Sequence, residues 1–318
     1  MADQLLLDWM LDTDPALRWQ VERDLLHAPE AQWQATRARV ATEGMGVRML
    51  AHQDADGQWA GGAYFPSEQD GWQDEPGQPW TATTWSLNAL RDWGLDAAAL
   101  PGTAEKLAEN SRWEYDDLAY WGGEVDVCIN AFTLANGAWL GADVSALADW
   151  FPAHLLGDGG WNCEWVEGET RSSVHSTLNA LRGLLYYERV VGRSDELDAA
   201  RRSGEEYLLK RRLMYASSGE LLADWVTNIA YPLRWTGNVL RSTDYFREAA
   251  RFDGTRPDPR ISDAIEALRG KRQPDGSFVQ GRVGPGRVWF PLDVPEGERS
   301  PWLTFYATRV LDWWDAAS

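Results

Sequence analysis

The chain has 318 residues, of which 20 are Trp, and its 49 acidic and 30 basic residues give a net charge of −19. A hydrophobic share of 44% and a charged share of 25% are typical of globular proteins and exclude a disordered chain. The acidic excess argues against nucleic acid and against anionic membrane surfaces as partners. The sequence contains no run of 18 apolar residues, so we expect no stable membrane insertion.

The cysteines and the start of the chain predict a cytoplasmic protein. Two cysteines, Cys128 and Cys163, are too few for a disulfide framework. The apolar patch at the N-terminus is interrupted by Asp8 and Asp12 and lacks a basic region before it. We therefore expect no signal peptide.

A short phrase of the type Asp-Gly-x-aromatic recurs along the chain. Glycine accepts a positive φ and Asp can cap its own backbone, so each copy predicts a tight turn with an aromatic side chain packed beneath it. The separations between the copies fit two helical hairpins each. The three copies are Asp56-Gly57-Gln-Trp59, Asp158-Gly159-Gly-Trp161 and Asp275-Gly276-Ser-Phe278.

Helical patterns follow the turns. Apolar residues at helical spacing predict six helices that begin just after loops, and amphipathic segments lie between them. Strict two-residue alternation, the mark of half-buried strands, is not evident. The pattern predicts an all-α protein of about six helical hairpins in a closed double ring, with residues 1–318 forming a single domain. The six helices are near Pro15, at 81–94, 126–141 and 173–192, near Arg234 and near Pro301; the amphipathic segments are 36–52, 99–110, 143–155, 195–214 and 258–272.

Helical hairpins joined by such turns resemble the squalene-cyclase and protein-prenyltransferase superfamily. The segment Gln53–Trp59 matches the full repeat phrase Gln-x-x-Asp-Gly-x-Trp, and the other two copies match its end. The resemblance covers about residues 15–315 and is strongest to short bacterial prenyltransferase and squalene-oxidase repeat proteins. It implies an (α/α)6 toroid, in which an inner ring of helices surrounds an aromatic cavity.

One branch of this superfamily, the class II terpene cyclases, protonates its substrate with an Asp-x-Asp-Asp motif. The nearest segment here is Tyr115-Asp116-Asp117, which lacks the first Asp. A metal-free class II-like cyclase that uses another Asp as the proton donor stays open as an alternative.

The other branch, the protein prenyltransferase β subunits, holds zinc with Asp-x-Cys at the start of one inner helix and His at the start of the next. By this resemblance Asp126, Cys128 and His175 are the ligands of one catalytic Zn²⁺. Asp126 can approach Cys128 only as an N-cap that precedes the helix. Three protein ligands leave a fourth position for substrate. Cys163 is either a fourth ligand, which would close the site, or an ordinary turn residue.

Side chains near the starts of the predicted inner helices are expected to line a substrate pocket: Trp80, Thr84, Tyr231, Trp235 and Trp302. Arg171 and Arg234 flank the same end. Either guanidinium could bind a phosphate or a carboxylate, and either could instead form an ordinary salt bridge.

These observations predict a zinc-dependent enzyme of bacterial specialised metabolism that acts on a small hydrophobic, isoprenoid-derived substrate by group transfer or cyclisation. The alternatives are the metal-free cyclase and a non-catalytic toroid that binds a hydrophobic ligand or a protein partner. No α subunit is evident, and the sequence leaves a homo-oligomer open.

Overall fold

The structure, a computed structural model, describes residues 4–317. In this part of the chain α-helices are joined by loops and short 3-10 turns. The helices are α1 (Gln4–Leu11), α2 (Pro15–Asp24), α3 (Glu30–Ala38), α4 (Gly44–Leu50), α5 (Thr83–Asp92), α6 (Thr103–Asn110), α7 (Val127–Leu140), α8 (Ser145–Ala153), α9 (Val174–Val190), α10 (Asp195–Lys210), α11 (Val239–Asp253), α12 (Ser262–Arg269) and α13 (Pro301–Ala317).

Strand structure within residues 4–317 is confined to one small sheet. Its strands β1 (Phe278–Val279) and β2 (Arg299–Ser300) pair antiparallel, with Phe278 opposite Ser300. The sheet closes the loop that leads into α13. The predicted all-α class is therefore confirmed. None of the helices in the described residues combines the length and the apolar character that a membrane crossing requires.

Most of the predicted helices appear within a few residues of their expected ends. Gly141 adopts φ +78° and ends α7, as the sequence indicates. The helix predicted near Arg234 is an exception, because α11 begins only at Val239. Asn238 is its N-cap, and the side chain of Asn238 accepts a hydrogen bond from the backbone N–H of Arg241. Arg234 consequently lies in the loop before the helix.

The three Asp-Gly-x-aromatic turns form as predicted. Their glycines have φ of +94°, +97° and +85°, a region that other residues rarely adopt. The aromatic side chains Trp59, Trp161 and Phe278 are fully buried. In each copy the backbone N–H of the aromatic residue donates to a threonine hydroxyl on the helix that follows. These bonds are Trp59 to Thr83 at 3.1 Å, Trp161 to Thr177 at 3.0 Å and Phe278 to Thr304 at 2.9 Å.

The two tryptophans of these turns also bond backward. Nε1 of Trp59 donates to the carbonyl of Met49, and Nε1 of Trp161 donates to the carbonyl of Phe151, both at 2.9 Å. Each of these turns is thus tied to the element before it and to the helix after it. The Phe278 side chain has no hydrogen-bond donor, so this turn is tied by its backbone N–H to Thr304 on the following helix and has no such bond to the element before it.

Contacts between helices run in a closed cycle. α5 contacts α7, α7 contacts α9, α9 contacts α11, and α11 contacts α13. α13 contacts α2, α2 contacts α4, and α4 contacts α5. Other helices pack against members of this cycle, as α10 does against α9 and α12 against α11 and α13. A central cavity of about 390 Å³ is lined by residues of α2, α5, α7, α9, α11 and α13, among others.

Candidate metal centre and central cavity

Asp126, Cys128 and Cys163 form a group that could hold a metal ion. One ligand atom from each residue lies within 4.8 Å of the other two. Sγ of Cys163 lies 2.6 Å from Oδ1 of Asp126 and 3.2 Å from Sγ of Cys128. Asp126 is the N-cap of α7, and its Oδ1 accepts a hydrogen bond from the backbone N–H of Cys128. The predicted capping role of Asp126 is therefore confirmed.

Residues of α9 hold the two sulfur atoms in place. The backbone N–H of Cys163 donates to Oγ of Ser176 at 3.1 Å, and that hydroxyl donates to Sγ of Cys163 at 3.2 Å. Nδ2 of Asn179 donates to Sγ of Cys128 at 3.2 Å. These hydrogen bonds from α9 fix the positions of both sulfur atoms beside Asp126.

The electrostatics of the three side chains suit a cation. The pKa of the Cys163 thiol is raised above its usual range by its hydrogen bond to Cys128, by burial and by the negative charges of Cys128 and Asp126. Three acidic groups crowded together disfavour one another's ionised forms, and a bound divalent cation would compensate those charges. The donor set of two sulfurs and one carboxylate therefore fits a bound metal.

His175 lies outside this group, contrary to the predicted ligand set. Its Nδ1 accepts a hydrogen bond from the backbone N–H of Gly237 at 2.8 Å, and its ring packs against Trp225 and Trp235. Burial and then the charge of Arg241 lower the pKa of His175 to about 4. The neutral ring must then carry its proton on Nε2, so neither nitrogen offers a free lone pair. A metal-bound His has the opposite arrangement, with the second nitrogen donating.

Aromatic side chains adjoin the metal-binding group. We define the aromatic box as Tyr64, Trp80, Trp85 and Phe132, which pack together with Cys128. The ring of Trp85 lies 4.7 Å from Trp80, 5.4 Å from Phe132 and 4.9 Å from Tyr64. Trp80, Trp85 and Phe132 also line the central cavity. Burial and then the charges of Cys128 and Asp126 raise the pKa of Tyr64, which places its phenol in the field of the metal-binding group.

The predicted pocket residues divide into two sets. Trp80 and Tyr231 line the central cavity. Thr84 and Trp302 do not: the hydroxyl of Thr84 lies 2.9 Å from that of Tyr120, and Trp302 stacks on Tyr231 with ring centroids 4.3 Å apart. Trp85, the neighbour of Thr84, lines the cavity instead. A shift of one residue along a helix turns a side chain by about 100°, and the sequence pattern does not resolve that shift.

Trp235 and the two candidate anion-binding arginines have different surroundings. Trp235 is 39% exposed and lines a second pocket rather than the central cavity. Arg171 has an 86% exposed side chain beside Glu169 and lies away from the central cavity. Arg234 lines the central cavity, with its guanidinium 3.6 Å from the ring centroid of Trp80. Its Nη1 is buried without a hydrogen-bond partner in the described part of the chain, and burial lowers its pKa to about 9.

Arg241 is a cavity residue that the sequence analysis did not identify. It is 2% exposed, and its Nη2 donates to Oδ1 of Asn179 at 2.6 Å. Asn179 in turn donates to Cys128, so a single side chain separates the guanidinium from the metal-binding group. Nε of Arg241 has no partner within residues 4–317, and burial lowers its pKa well below the usual range. Its position three residues after the N-cap Asn238 is the one local signal, and it is weak.

The wall of the central cavity is richer in arginine than an aromatic cavity would be. Eight arginines and three carboxylates line it, a balance of 8 − 3 = +5 in a chain of net charge −19. Asp244 pairs with Arg309 at 2.7 Å and Glu248 pairs with Arg189 at 2.8 Å. The arginines are Arg23, Arg37, Arg91, Arg182, Arg189, Arg234, Arg241 and Arg309, and the carboxylates are Asp92, Asp244 and Glu248.

Comparison with known proteins adds little. The sequence matches no protein-family model, and no curated protein matches it. The crystal structure of a protein from Actinoplanes is similar over 96% of this chain and 90% of that chain, with 15% sequence identity and a TM-score of 0.45. Inference about function therefore rests on the residues of this chain.

Proposed function

We propose that the protein is a zinc-dependent enzyme that acts, by group transfer or cyclisation, on a small hydrophobic substrate that carries an anionic group. One observation carries the proposal. Cys128 belongs to the metal-binding group with Asp126 and Cys163 and also packs with the aromatic box, three of whose four members line the central cavity. A metal held there would lie beside the aromatic box, and the box residues Trp80, Trp85 and Phe132 would stand between it and a substrate in the cavity.

The donor set favours zinc over the common alternatives. Thiolates select soft or borderline cations, and a mixture of sulfur and carboxylate ligands suits Zn²⁺ better than Mg²⁺ or Ca²⁺. Asp126, Cys128 and Cys163 would supply three ligands and leave a fourth position open. Bound zinc supplies a Lewis acid that polarises a carbonyl or activates a thiol or water.

The chain itself would bind and orient the substrate. The aromatic box offers an apolar wall beside Cys128, and its ring faces also stabilise positive charge. Arg241 has a buried nitrogen, Nε, without a partner among the described residues, and it could donate to a phosphate or carboxylate of the substrate. The mixed wall favours an amphipathic substrate, as a prenyl phosphate would be, over a pure hydrocarbon.

We infer that the helices are arranged as an (α/α)6 toroid, as the superfamily resemblance implies. Three features support the arrangement: the closed cycle of helix contacts, the central cavity lined from eight of the helices, and the three repeated turns. The isoprenoid-derived substrate and the cytoplasmic location stay predictions from sequence.

Metal analysis of the purified protein tests the ligand set directly. We expect about one zinc per chain, and loss of that zinc in Asp126→Asn, Cys128→Ala and Cys163→Ala. His175→Ala is the control and should retain the metal. If His175→Ala loses the metal while Cys163→Ala keeps it, the ligand set predicted from sequence is the correct one.

Cobalt substitution gives a second readout that does not depend on turnover. Co²⁺ bound by Cys128 and Cys163 should show thiolate charge-transfer absorption that weakens when either cysteine is replaced. Wild-type protein that binds neither zinc nor cobalt would refute the metal centre.

Turnover of prenyl phosphates with and without a chelator separates the proposed enzyme from its rivals. We expect chelation to abolish activity and added zinc to restore it. Full activity on a polyprene after chelation would favour the metal-free cyclase. Tight lipid binding without turnover, unaffected by Asp126→Asn, would favour the non-catalytic toroid.

A further inference from the structure

A second pocket adjoins the central cavity. This outer pocket, of about 290 Å³, is formed by the loops at 77–80, 228–238 and 282–285. It shares Trp80, Pro232, Leu233 and Arg234 with the wall of the central cavity. The stacked pair of Trp80 and Arg234 thus lies between the two spaces.

The charges of the outer pocket are opposite to those of the chain as a whole. Among the described residues that line it there are two arginines, Arg234 and Arg282, and no Asp or Glu. The chain carries 49 acidic residues against 30 basic ones, so a pocket wall with arginines and without a carboxylate is unusual for this protein. The side-chain amides of Gln78, Asn228 and Asn238 are polar but uncharged, and those of Asn228 and Asn238 bond the backbone of Arg282 and Arg241. Such a wall suits an anion.

Neither arginine of the outer pocket has a carboxylate within 4.0 Å in the described structure. Arg234 is held against Trp80 and leaves Nη1 buried without a partner. A buried unpartnered donor costs free energy, which an acceptor on a ligand would recover. Arg282 has an exposed side chain, and its backbone is fixed because Asn228 accepts from its N–H at 3.1 Å and donates to its carbonyl at 2.9 Å. The two loops are thereby joined beside the pocket.

One side of the outer pocket is apolar. Trp235 and Val283 are each 39% exposed, and Leu233 and Pro285 complete this side. The ring of Trp235 packs edge-on against His175, with centroids 5.2 Å apart. An apolar surface beside two unpaired guanidinium groups fits a ligand with a small apolar body and one anionic end.

We propose that the outer pocket binds a small organic oxyanion, a carboxylate or a phosphate, through Arg234 and Arg282, with the body of the ligand against Trp235 and Val283. The site stands independently of the metal centre. If the proposed enzyme activity also holds, the ligand is a second reactant or product separated from the central cavity by the Trp80–Arg234 pair.

Calorimetric titration with phenyl phosphate and with benzoate tests the site. Val283→Asp places a carboxylate at the pocket, and we expect it to weaken binding about tenfold or more relative to the neutral variant Val283→Asn. Arg282→Gln should weaken binding about three- to tenfold, because one charge-assisted hydrogen bond is lost. Arg251→Gln is the matched control: it makes the same charge change near the opposite end of α11 and should bind like wild type.

Val283, Arg282 and Arg251 are exposed, so their variants should fold, and thermal unfolding of each checks this. Binding of either probe supports the site, and the stronger of the two identifies phosphate or carboxylate as the recognised group. If neither probe binds wild type, or if Val283→Asp binds as well as Val283→Asn, the proposal is wrong. Zinc content should be unchanged in Val283→Asp, so a failure of this site and a failure of the metal centre give different results.

Discussion

Two buried arginines, Arg201 and Arg241, have opposite surroundings. Arg201 is 0% exposed and contacts four carboxylates, those of Glu188, Asp198, Glu205 and Asp253, at 2.7 to 3.0 Å. Burial alone would lower its pKa, but Tyr245 and the surrounding carboxylates outweigh this and the pKa is raised.

Arg241 is almost as deeply buried but has no carboxylate within 4.0 Å among residues 4–317, and burial lowers its pKa. A buried charge that is surrounded by partners belongs to the framework of the protein. A buried charge that faces no carboxylate lowers stability, and such groups are characteristic of functional sites. The contrast therefore separates arginines whose charge is neutralised within the protein from arginines whose charge is not.

The largest effect is expected for Arg201→Leu. Removal of the guanidinium leaves Glu188 and Glu205 buried without their cation, and breaking a buried ion pair costs about 3–5 kcal/mol. Urea unfolding should show this loss of unfolding free energy. The folded variant should bind an anionic substrate analogue as the wild type does. A loss in the free energy of unfolding below about 1 kcal/mol would show that these carboxylates are satisfied without Arg201. Arg201 and Arg241 would then not differ in their effect on stability.

Arg241→Leu should show the reverse. The substitution removes an unpaired buried charge, so the free energy of unfolding should stay the same or rise. Affinity for an anionic substrate analogue such as prenyl diphosphate should fall about 10- to 100-fold, as expected for a charge-assisted hydrogen bond of about 1.5–3 kcal/mol. If Arg241→Leu unfolds the protein as Arg201→Leu does, Arg241 belongs to the framework.

His175 reports on the charge of Arg241 in solution. Its pKa, about 4 in the wild type, is lowered first by burial and second by Arg241. In Arg241→Leu the pKa should rise part of the way towards the ordinary value of about 6.5. Imidazole NMR signals measured against pH, with His175→Asn to assign the signal, give the comparison. An unchanged pKa would mean that the guanidinium does not act on His175.

The same pKa predicts how stability depends on pH. The folded protein binds a proton at His175 only near pH 4, whereas the unfolded chain binds it near pH 6.5. The contribution of neutral His175 to the free energy of unfolding is therefore fully present above about pH 6.5. It is lost as the pH falls from there to about 4. Urea titrations of wild type and His175→Asn over this range should show a smaller loss in the variant.

The smallest effect is expected on the surface. Arg39 and Glu43 form an exposed pair at 2.7 Å on the outside of the molecule. Exposed pairs contribute little, because water and salt screen them. Glu43→Gln should leave the thermal unfolding midpoint unchanged within error. A clear decrease in the unfolding midpoint would mean that an arginine–carboxylate pair stabilises this protein even when both side chains are exposed.

The metal-binding group shows how far sequence reasoning reached. Asp126 and Cys128 are two residues apart, so an N-cap brings them together whatever else the chain does. The third member could not be chosen in the same way. Cys163 approaches because its N–H and sulfur bond to Ser176, and His175 turns away because Gly237 bonds its Nδ1. These three bonds join segments that the sequence does not place relative to one another.

Local chemistry, readable in the sequence, determined the turns, most helix ends and the all-α class, because φ preferences, caps and apolar spacing act within a few residues. Only the tertiary structure decided which side of each helix faces the cavity and which charges are paired. Arg309, for example, meets Asp24 across 285 residues of chain. Arg241 meets no carboxylate within 4.0 Å among the described residues, and burial lowers its pKa. Pairing depends on distances between segments, which the order of residues does not specify.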